Sequence, residues 1–549
     1  AMLLPAPMAN LNGGSYPSSS ALLLDGSPVV KDVVWDRSVS TAADATVWHT
    51  MLVAGYGASQ TGYYAVDVTN PDPSGMTSGA NPPNDPPEAG PVFRWQLTKM
   101  PGTNMPLFGS HSGTPAVTTL YMDPGDGNGA REIGVAVLPG GQDVVPTTQG
   151  KCARIAKSSD SAPLTSYSAR TNVRCWGNPP SGGTQSSTDV VIGRSVSIVR
   201  LDTGEILRVF ARKSDFQAVK YASDTVNIAG RYTDVGLDSP MTGTPIVYPS
   251  DVGTDTTKFF ITDADGTVWR FDVSSSDPSK WFGELYLDMY NQTVDTSSTA
   301  WSDGQPAQVS PVLSLDPAGN VVLNIATGTT DQFDTTGVEY VYSITEKIAQ
   351  GLTPKLRAYV NWWMQPAVID SAPGERVSGP MTVFNGTLYF STYAAAPPGT
   401  QSCNSGVARL WGRDFVTPDD NTCAGNPTGC DRSLGGLREM QPPPPNAPTV
   451  PPPVYVEPDL YDSTLQGKVI PGVSIKATPA CADLGTPGND SYVAGATHAA
   501  PQDYAGGSYS LFTQVGAKGT NGATTRQFET AVPTPVSPTT IDSWAAVLE

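Results

Sequence analysis

A short unit, made of a small residue, a proline and an apolar run, recurs along the chain and constrains its fold most strongly. It occurs at residues 113–117, 243–247, 310–313 and 378–382. The last three copies follow one another at nearly equal spacing, and the gap between the first two is roughly twice as long. Self-similarity at a fixed period is the signature of a repeat architecture.

A second element, a strand-like run that often ends in aspartate, recurs between the copies of the first. It is found at residues 64–67, 198–202, 269–272 and 340–343. The dipeptide Asp265-Gly266, which precedes one of these runs, is a strong hairpin-turn signal. Antiparallel sheets repeated around an axis are the blades of a β-propeller. The sequence therefore predicts an all-β fold, a modified β-propeller of about seven blades with long loop insertions; the alternative is a β-sandwich whose proline turns recur by coincidence.

Composition supports many short strands. The 549 residues include 55 glycines and 51 prolines, which disfavour long helices and favour turns. The net charge of −19 argues against nucleic acid and anionic membrane surfaces as partners. The longest apolar runs are too short and interrupted to predict a transmembrane segment.

Six cysteines and only three histidines favour disulfides over a zinc site. The cysteines are Cys152, Cys175, Cys403, Cys423, Cys430 and Cys481. The even count predicts three bridges in an oxidising compartment, and the sequence does not decide among the many pairings. Cys152 and Cys175 flank a polar loop, so we expect them to be paired.

The best metal candidate is the loop 123–132, which carries closely spaced oxygen ligands. Asp123, Asp126, Asn128 and Glu132 alternate with glycines that allow a sharp turn. Calcium takes such oxygen ligands. The spacing departs from the regular calcium-loop pattern, and the alternative is a hairpin turn with solvated acids.

No catalytic residues are predicted. Asp263 and Asp265 lie two residues apart before a turn glycine, where an aspartate side chain usually accepts hydrogen bonds from the turn backbone. The chain contains no nucleophile-elbow, zinc-protease or phosphate-loop motif.

Three tryptophans and two histidines were the remaining candidates for a ligand site. Trp269, Trp281 and Trp411 suit packing between blades better than stacking on a sugar. His49 and His111 are interpreted as structural residues.

Several motifs, in their order, resemble one known family. They are the Asp-Gly-Ser-Pro run at 25–28, the Trp- and Gly-containing segment 48–57, the strand 62–69, the Asp-Gly-x-x-Trp-Arg-Phe-Asp run at 265–272, and Ala-Thr-Gly at 326–328 with Tyr-Val-Tyr at 340–342. From about residue 20 to about residue 440 the chain resembles the C-terminal β-propeller domain of the PilC/PilY-type proteins of type IV pilus biogenesis and tip adhesion.

The resemblance implies a non-enzymatic function. Such a domain would lie outside the cell, at the pilus tip or outer cell surface. It would dock on minor pilins, contact a host or surface receptor, and support pilus assembly, adhesion and twitching motility; the family also implies a calcium loop. The alternatives are a secreted quinoprotein-like or carbohydrate-active enzyme and a carbohydrate-binding propeller. The adjacent cysteine pair typical of quinoproteins is missing.

The chain divides by composition into three segments. Residues 1–440 are expected to form the propeller body, 441–453 a proline-rich loop or linker, and 454–549 a segment that completes or closes the propeller. We expect partner contacts on the long loops near 143–192 and 401–430 and on the proline-rich stretch.

Overall fold

The computed structural model describes these parts of the chain: residues 26–37, 47–57, 61–71, 90–98, 108–142, 150–155, 169–176, 191–213, 215, 230–290, 304–329, 337–349, 355–366, 374–395, 406–416, 468–477, 509–519 and 522–532. Across these ranges the protein is all-β, and its one named helical element is a single 3-10 turn at Pro278–Lys280. The predicted fold class is therefore confirmed at the level of all-β structure.

Sheets one and two are formed by residues 28–234 of the chain. Sheet one contains, in spatial order, β1 (Pro28–Val34), β2 (Trp48–Gly55), β3 (Tyr63–Asp67) and β4 (Val92–Leu97). Sheet two contains β5 (Ala116–Met122), β6 (Arg131–Pro139), β9 (Ser195–Arg200), β10 (Ile206–Ala211) and β11 (Tyr232–Asp234). Between β6 and β9 the chain makes a separate two-stranded sheet of β7 (Lys151–Ala153) and β8 (Asn172–Arg174).

Sheets three and four are antiparallel and follow the chain strand by strand. Sheet three contains β12 (Ile246–Tyr248), β13 (Lys258–Thr262), β14 (Thr267–Asp272) and β15 (Phe282–Asp288). Sheet four contains β16 (Val312–Leu315), β17 (Val321–Ala326), β18 (Val341–Ala349) and β19 (Lys355–Met364).

Sheets five and six share a different layout, in which two short strands pair with one side of a long strand. Sheet five contains β20 (Arg376–Val377), β21 (Thr382–Phe384), β22 (Thr387–Ala395) and β23 (Gly406–Asp414). Sheet six contains β24 (Lys468–Val469), β25 (Ser474–Ala477), β26 (Tyr509–Gly519) and β27 (Gly522–Val532). The described residues thus form six sheets of four or five strands, one fewer than the seven expected.

The repeated proline unit opens equivalent strands in different sheets, as predicted. Pro115, Pro245 and Pro311 directly precede β5, β12 and β16, and Pro380 lies just before β21. The small residue before the proline has a packing reason: a Cβ at Gly243 would lie 1.9 Å from Thr262 Oγ1. The second repeated element also falls in equivalent places, in β3, β9, β14 and β18, the third strands of sheets one to four.

Successive sheets pack face to face. One edge strand of each sheet contacts an edge strand of the next, in the order β1, β5, β12, β16, β21 and β25. This strand is the first along the chain in sheets one to four and the second in sheets five and six. Five apolar clusters fill the five interfaces between neighbouring sheets. In the described ranges no such cluster joins sheet six to sheet one. No helix of these ranges is long and apolar enough to cross a membrane.

Candidate functional site

The turn 263–266, here called the acidic turn, connects β13 to β14 in sheet three. Its first carboxylate is fully buried and accepts three hydrogen bonds. Asp263 Oδ1 accepts from the backbone N–H groups of Asp265 and Thr267, each at 2.9 Å, and Oδ2 accepts from Trp269 Nε1 at 2.9 Å. Asp263 therefore shapes the turn, as the sequence favoured.

A disulfide-bonded hairpin from the insertion after β6 packs against this turn. The disulfide hairpin, as we name it, consists of residues 150–155 and 169–176 and includes β7 and β8. Cys152 and Cys175 form the bridge, which is the pairing expected from the sequence.

Arg174 joins the disulfide hairpin to the acidic turn through Asp265. Its Nε donates to Asp265 Oδ1, its backbone N–H donates to Oδ2 at 3.0 Å, and its Nη2 donates to the carbonyl oxygen of Ala264 at 2.7 Å. The guanidinium also lies 5.1 Å from the ring centroid of Trp176. Asp265 is thereby neutralised although its side chain has no exposed surface.

Two further arginines of the disulfide hairpin bind Asp288 at the end of β15. Arg170 donates to Asp288 Oδ2 from Nε at 2.9 Å and from its backbone N–H at 2.8 Å. Arg154 Nη2 donates to Thr267 Oγ1 at 2.7 Å and to Asp288 Oδ2 at 3.2 Å. Three arginines from one insertion therefore bind acids of one neighbouring sheet.

The ion pairs continue into sheet two. Arg212 Nη2 donates to Asp238 Oδ1 at 2.5 Å, and Arg194 binds Asp215 with two hydrogen bonds of 2.8 Å. Arg154 Nη1 lies 3.6 Å from Asp238 Oδ2. We call the whole set the charged cluster; its members are Arg154, Arg170, Arg174, Arg194, Arg212, Asp215, Asp238, Asp263, Asp265 and Asp288.

Burial changes the proton affinity of the acids in the charged cluster. It raises the pKa of Asp263 to about 7, with repulsion from Asp265 as the second cause. Burial also raises the pKa of Asp238, against the attraction of Arg154. At Asp288 burial acts in the same direction, but Arg170 and Arg154 outweigh it and lower the pKa. Of these three acids, Asp288 therefore stays ionised most readily.

The charged cluster is suited to hold a loop in a fixed position. Its charges are balanced in number, and buried ions of this kind are tolerated because they are paired. Among the residues that the structure describes, Arg154 Nε and Asp238 Oδ2 have no hydrogen-bond partner. None of its members places a nucleophile beside a base.

The four residues of the predicted calcium loop lie between β5 and β6 or at the start of β6. Asp123 Oδ1 accepts from the backbone N–H of Gly125 at 2.8 Å, and Asp126 Oδ1 accepts from that of Asn128 at 3.0 Å. Glu132 pairs with Arg37 at 2.7 Å.

Arg131 occupies the position beside Asp126 that a cation would take. Its Nη1 and Nη2 donate to the two carboxylate oxygens of Asp126 at 3.0 and 2.5 Å, and its Nε and Nη2 donate to Asp36. In this arrangement Asp126 and Glu132 are paired with arginines, and among the described residues no group of three His, Cys, Asp or Glu side chains is placed to hold a metal ion. The loop adopts the turn geometry that was the alternative interpretation.

Four of the five remaining candidates are core residues, whereas the fifth, His111, is exposed and forms an isolated backbone bridge with Gln142. Trp269, Trp281 and Trp411 are buried, and each belongs to an apolar cluster between sheets. His49 is buried, stacks on Trp35 with ring centroids 3.4 Å apart, and pairs through Nδ1 with Asp67 Oδ2 at 2.9 Å. These positions agree with the interpretation of the tryptophans and of His49 as structural.

Several predictions fall outside the described residues. They concern Cys403, Cys423, Cys430 and Cys481 and the proline-rich stretch 441–453. Of the loop expected near 401–430, residues 406–416 are described, and that expectation is wrong for them because Gly406–Asp414 form strand β23 of sheet five.

The charged cluster was missed from the sequence, although a signal exists. Arg154 follows Cys152 by two residues, and Arg170 and Arg174 precede Cys175 closely. Arginines concentrated at both cysteines of a polar insertion indicate that the bridged loop binds acids elsewhere.

A scan against protein-family models finds no match, and a search of curated proteins finds none either.

Proposed function

We propose that this chain is a binding domain of a type IV pilus tip protein, which docks on minor pilins and supports pilus assembly, adhesion and twitching motility. The observation that carries the binding role is the disulfide hairpin: three of its arginines anchor a long insertion to a rigid sheet. Recognition residues are commonly found on loops that a rigid scaffold positions.

We propose further that the six sheets are blades of a modified β-propeller. Two features support this: one edge strand of each sheet contacts an edge strand of the next, and apolar clusters fill each interface between consecutive sheets. A stack of this kind, bent around these edge strands, gives the radial arrangement of a propeller.

The pilus assignment is supported by the sequence motifs. The run 265–272, one of the motifs that resemble the family, forms the end of the acidic turn and β14. The bridge between Cys152 and Cys175 agrees with the extracellular location proposed, at the pilus tip or outer cell surface, because disulfides persist in oxidising compartments. A host or surface receptor is a further proposed partner.

Co-purification with minor pilins tests this proposal. We expect purified minor pilins to be retained by the immobilised chain, and retention to fall when Lys151→Glu and Thr171→Arg alter the exposed surface of the disulfide hairpin. Lys280→Glu, on the exposed 3-10 turn, is the matched control and should bind normally. Absence of pilin binding, together with turnover of a sugar or alcohol coupled to dye reduction, would overturn the proposal in favour of an enzyme.

Calcium binding by the loop 123–132 remains a prediction, and the contacts of this loop set a condition for it. An ion bound by Asp123, Asp126, Asn128 and Glu132 has to replace Arg131 at Asp126 and Arg37 at Glu132.

A further inference from the structure

Side chains, rather than strand pairing with the body, hold the disulfide hairpin in place. In the described ranges β7 and β8, of three residues each, pair with each other and with no strand of the six larger sheets. A two-stranded ribbon is marginally stable at best on its own. The arginines and the bridge therefore decide whether this hairpin stays seated.

The bridge fixes the positions of the arginines relative to one another. Arg154 follows Cys152 by two residues in one arm, and Arg174 directly precedes Cys175 in the other. The backbone N–H of Arg154 donates to the carbonyl oxygen of Thr171 at 3.0 Å, next to the bridge. With the arms tied at this point, the guanidinium groups of both arms face the same acids of sheet three.

Seating and release are expected to involve all three arginines together. The side chains of Arg154, Asp265 and Asp288 have no exposed surface. If one arm of the hairpin leaves, water reaches the buried ion pairs and one carboxylate loses its arginine. The water weakens the remaining ion pairs by hydrating them, and the unpaired carboxylate repels the neighbouring acids. The hairpin is thus a two-state element, either seated or released.

We propose that the bridge between Cys152 and Cys175 is a redox-controlled latch, whose reduction releases the disulfide hairpin from the acidic turn while the six sheets remain folded. The reductant is a dithiol. One of its thiolates attacks a sulfur of the bridge, the S–S bond breaks, and the second thiolate resolves the mixed disulfide. The dithiol becomes a cyclic disulfide and gives up two electrons; Cys152 and Cys175 take up two electrons and two protons as thiols. This inference is independent of the pilus role.

Hydrogen exchange on the folded protein tests the latch. After treatment with dithiothreitol under native conditions, we expect amides of the hairpin, such as Arg154, Arg170 and Cys175, to lose about 30- to 1,000-fold in protection, which is the range that a bridge of this kind contributes. Amides of β13 and β14 should change little. Trp176, buried beside Val191 and Ala264, should gain access to water, seen as a fluorescence shift that Trp176→Phe removes.

Two variants separate this bridge from other causes. Cys152→Ser with Cys175→Ser removes one pair only and should reproduce the exchange pattern without reductant. Asp265→Asn keeps the bridge but weakens one ion pair, and it should open the hairpin less than the double variant does. Should the double variant fail to fold, partial reduction with thiol mapping by mass spectrometry still connects hairpin exchange to this bridge. Unchanged hairpin protection after reduction overturns the latch, and so does exchange throughout the six sheets.

Discussion

Two aspartate-rich hairpin turns of this protein have similar sequences and opposite environments. The acidic turn of sheet three and the loop 123–130 of sheet two both contain two aspartates and a left-handed glycine, with φ values of 75° at Gly266 and 81° at Gly125. A Cβ at Gly266 would lie 2.6 Å from Tyr290, whereas one at Gly125 would meet nothing within 4 Å. One turn is packed on all sides and the other is open to water.

The partners of the acids differ in the same way. Asp126 binds Arg131, five residues away, and keeps 37% of its side chain exposed. Asp265 is fully buried and binds Arg174, which is 91 residues away. A turn of given sequence therefore becomes a solvated loop or a docking site depending on which distant segment covers it.

The largest expected difference between the two turns concerns their ion pairs. Arg174→Ala leaves Asp265 buried without its charge partner, so we expect the free energy of unfolding to fall by ~3–5 kcal/mol. Asp126→Ala removes an exposed pair, and Arg131 retains Asp36, so the loss should stay within ~1 kcal/mol. Urea denaturation of both variants measures the contrast. Equal losses would show that burial does not distinguish the turns.

An intermediate effect is expected in the pH dependence of stability. The folded-state pKa of Asp263 is about 7, above the usual 3.8, so the folded protein retains a proton that the unfolded chain releases between these values. The free energy of unfolding should therefore fall as pH rises from about 4 to 7 and then level off. The substitution Asp263→Asn removes this pH-dependent contribution to stability. It also replaces one carboxylate oxygen with an NH2 group, so the indole N–H of Trp269 loses its acceptor.

Melting temperatures from pH 4.5 to 8 check this sign. The difference between the wild type and Asp263→Asn should decrease as pH rises. The control is Asp126→Asn. Hydrogen bonds from Arg131 lower the pKa of Asp126 below the usual 3.8. The ionised Asp126 therefore stabilises the fold fully above pH 3.8, and this stabilisation is lost only as pH falls below that value. If the stability difference from the wild type changed with pH by the same amount for Asp263→Asn and for Asp126→Asn, the raised pKa of Asp263 would be contradicted.

The smallest effect is expected from calcium. Because Arg131 already neutralises Asp126, millimolar calcium should raise the melting temperature of the wild type by no more than about 1 °C, a surface-pair effect. Arg131→Gln should increase the calcium response, and adding Asp123→Ala should remove that increase. A large wild-type response abolished by Asp123→Ala would instead establish the calcium site predicted from the sequence.

Much of the fold could be predicted because its signals are local. The proline units at Pro115, Pro245 and Pro311 mark first strands, since proline suits strand starts and the preceding small residue allows close packing. The same unit at Pro28, which opens β1, was not counted as a repeat.

The site was predicted only in part, because its contacts span long distances. The pairing of Cys152 with Cys175 followed from their position around one polar insertion. The binding of Arg170 to Asp288 could not be predicted, because 118 residues separate the two. In the sequence, each of these residues is indistinguishable from an ordinary charged residue of the surface.

The sequence by itself determined the all-β class, the turn role of Asp263 and the pairing of Cys152 with Cys175, because strand alternation, turn chemistry and the two ends of one polar insertion are local features of the chain. Only the tertiary structure decided that Asp265 and Asp288 are buried, that arginines of a distant insertion neutralise them, and that Asp126 faces solvent beside Arg131. The physical reason is desolvation: the free energy of a charge depends on what covers it, and the covering segment is brought there by the stacking of whole sheets rather than by its neighbours in the chain.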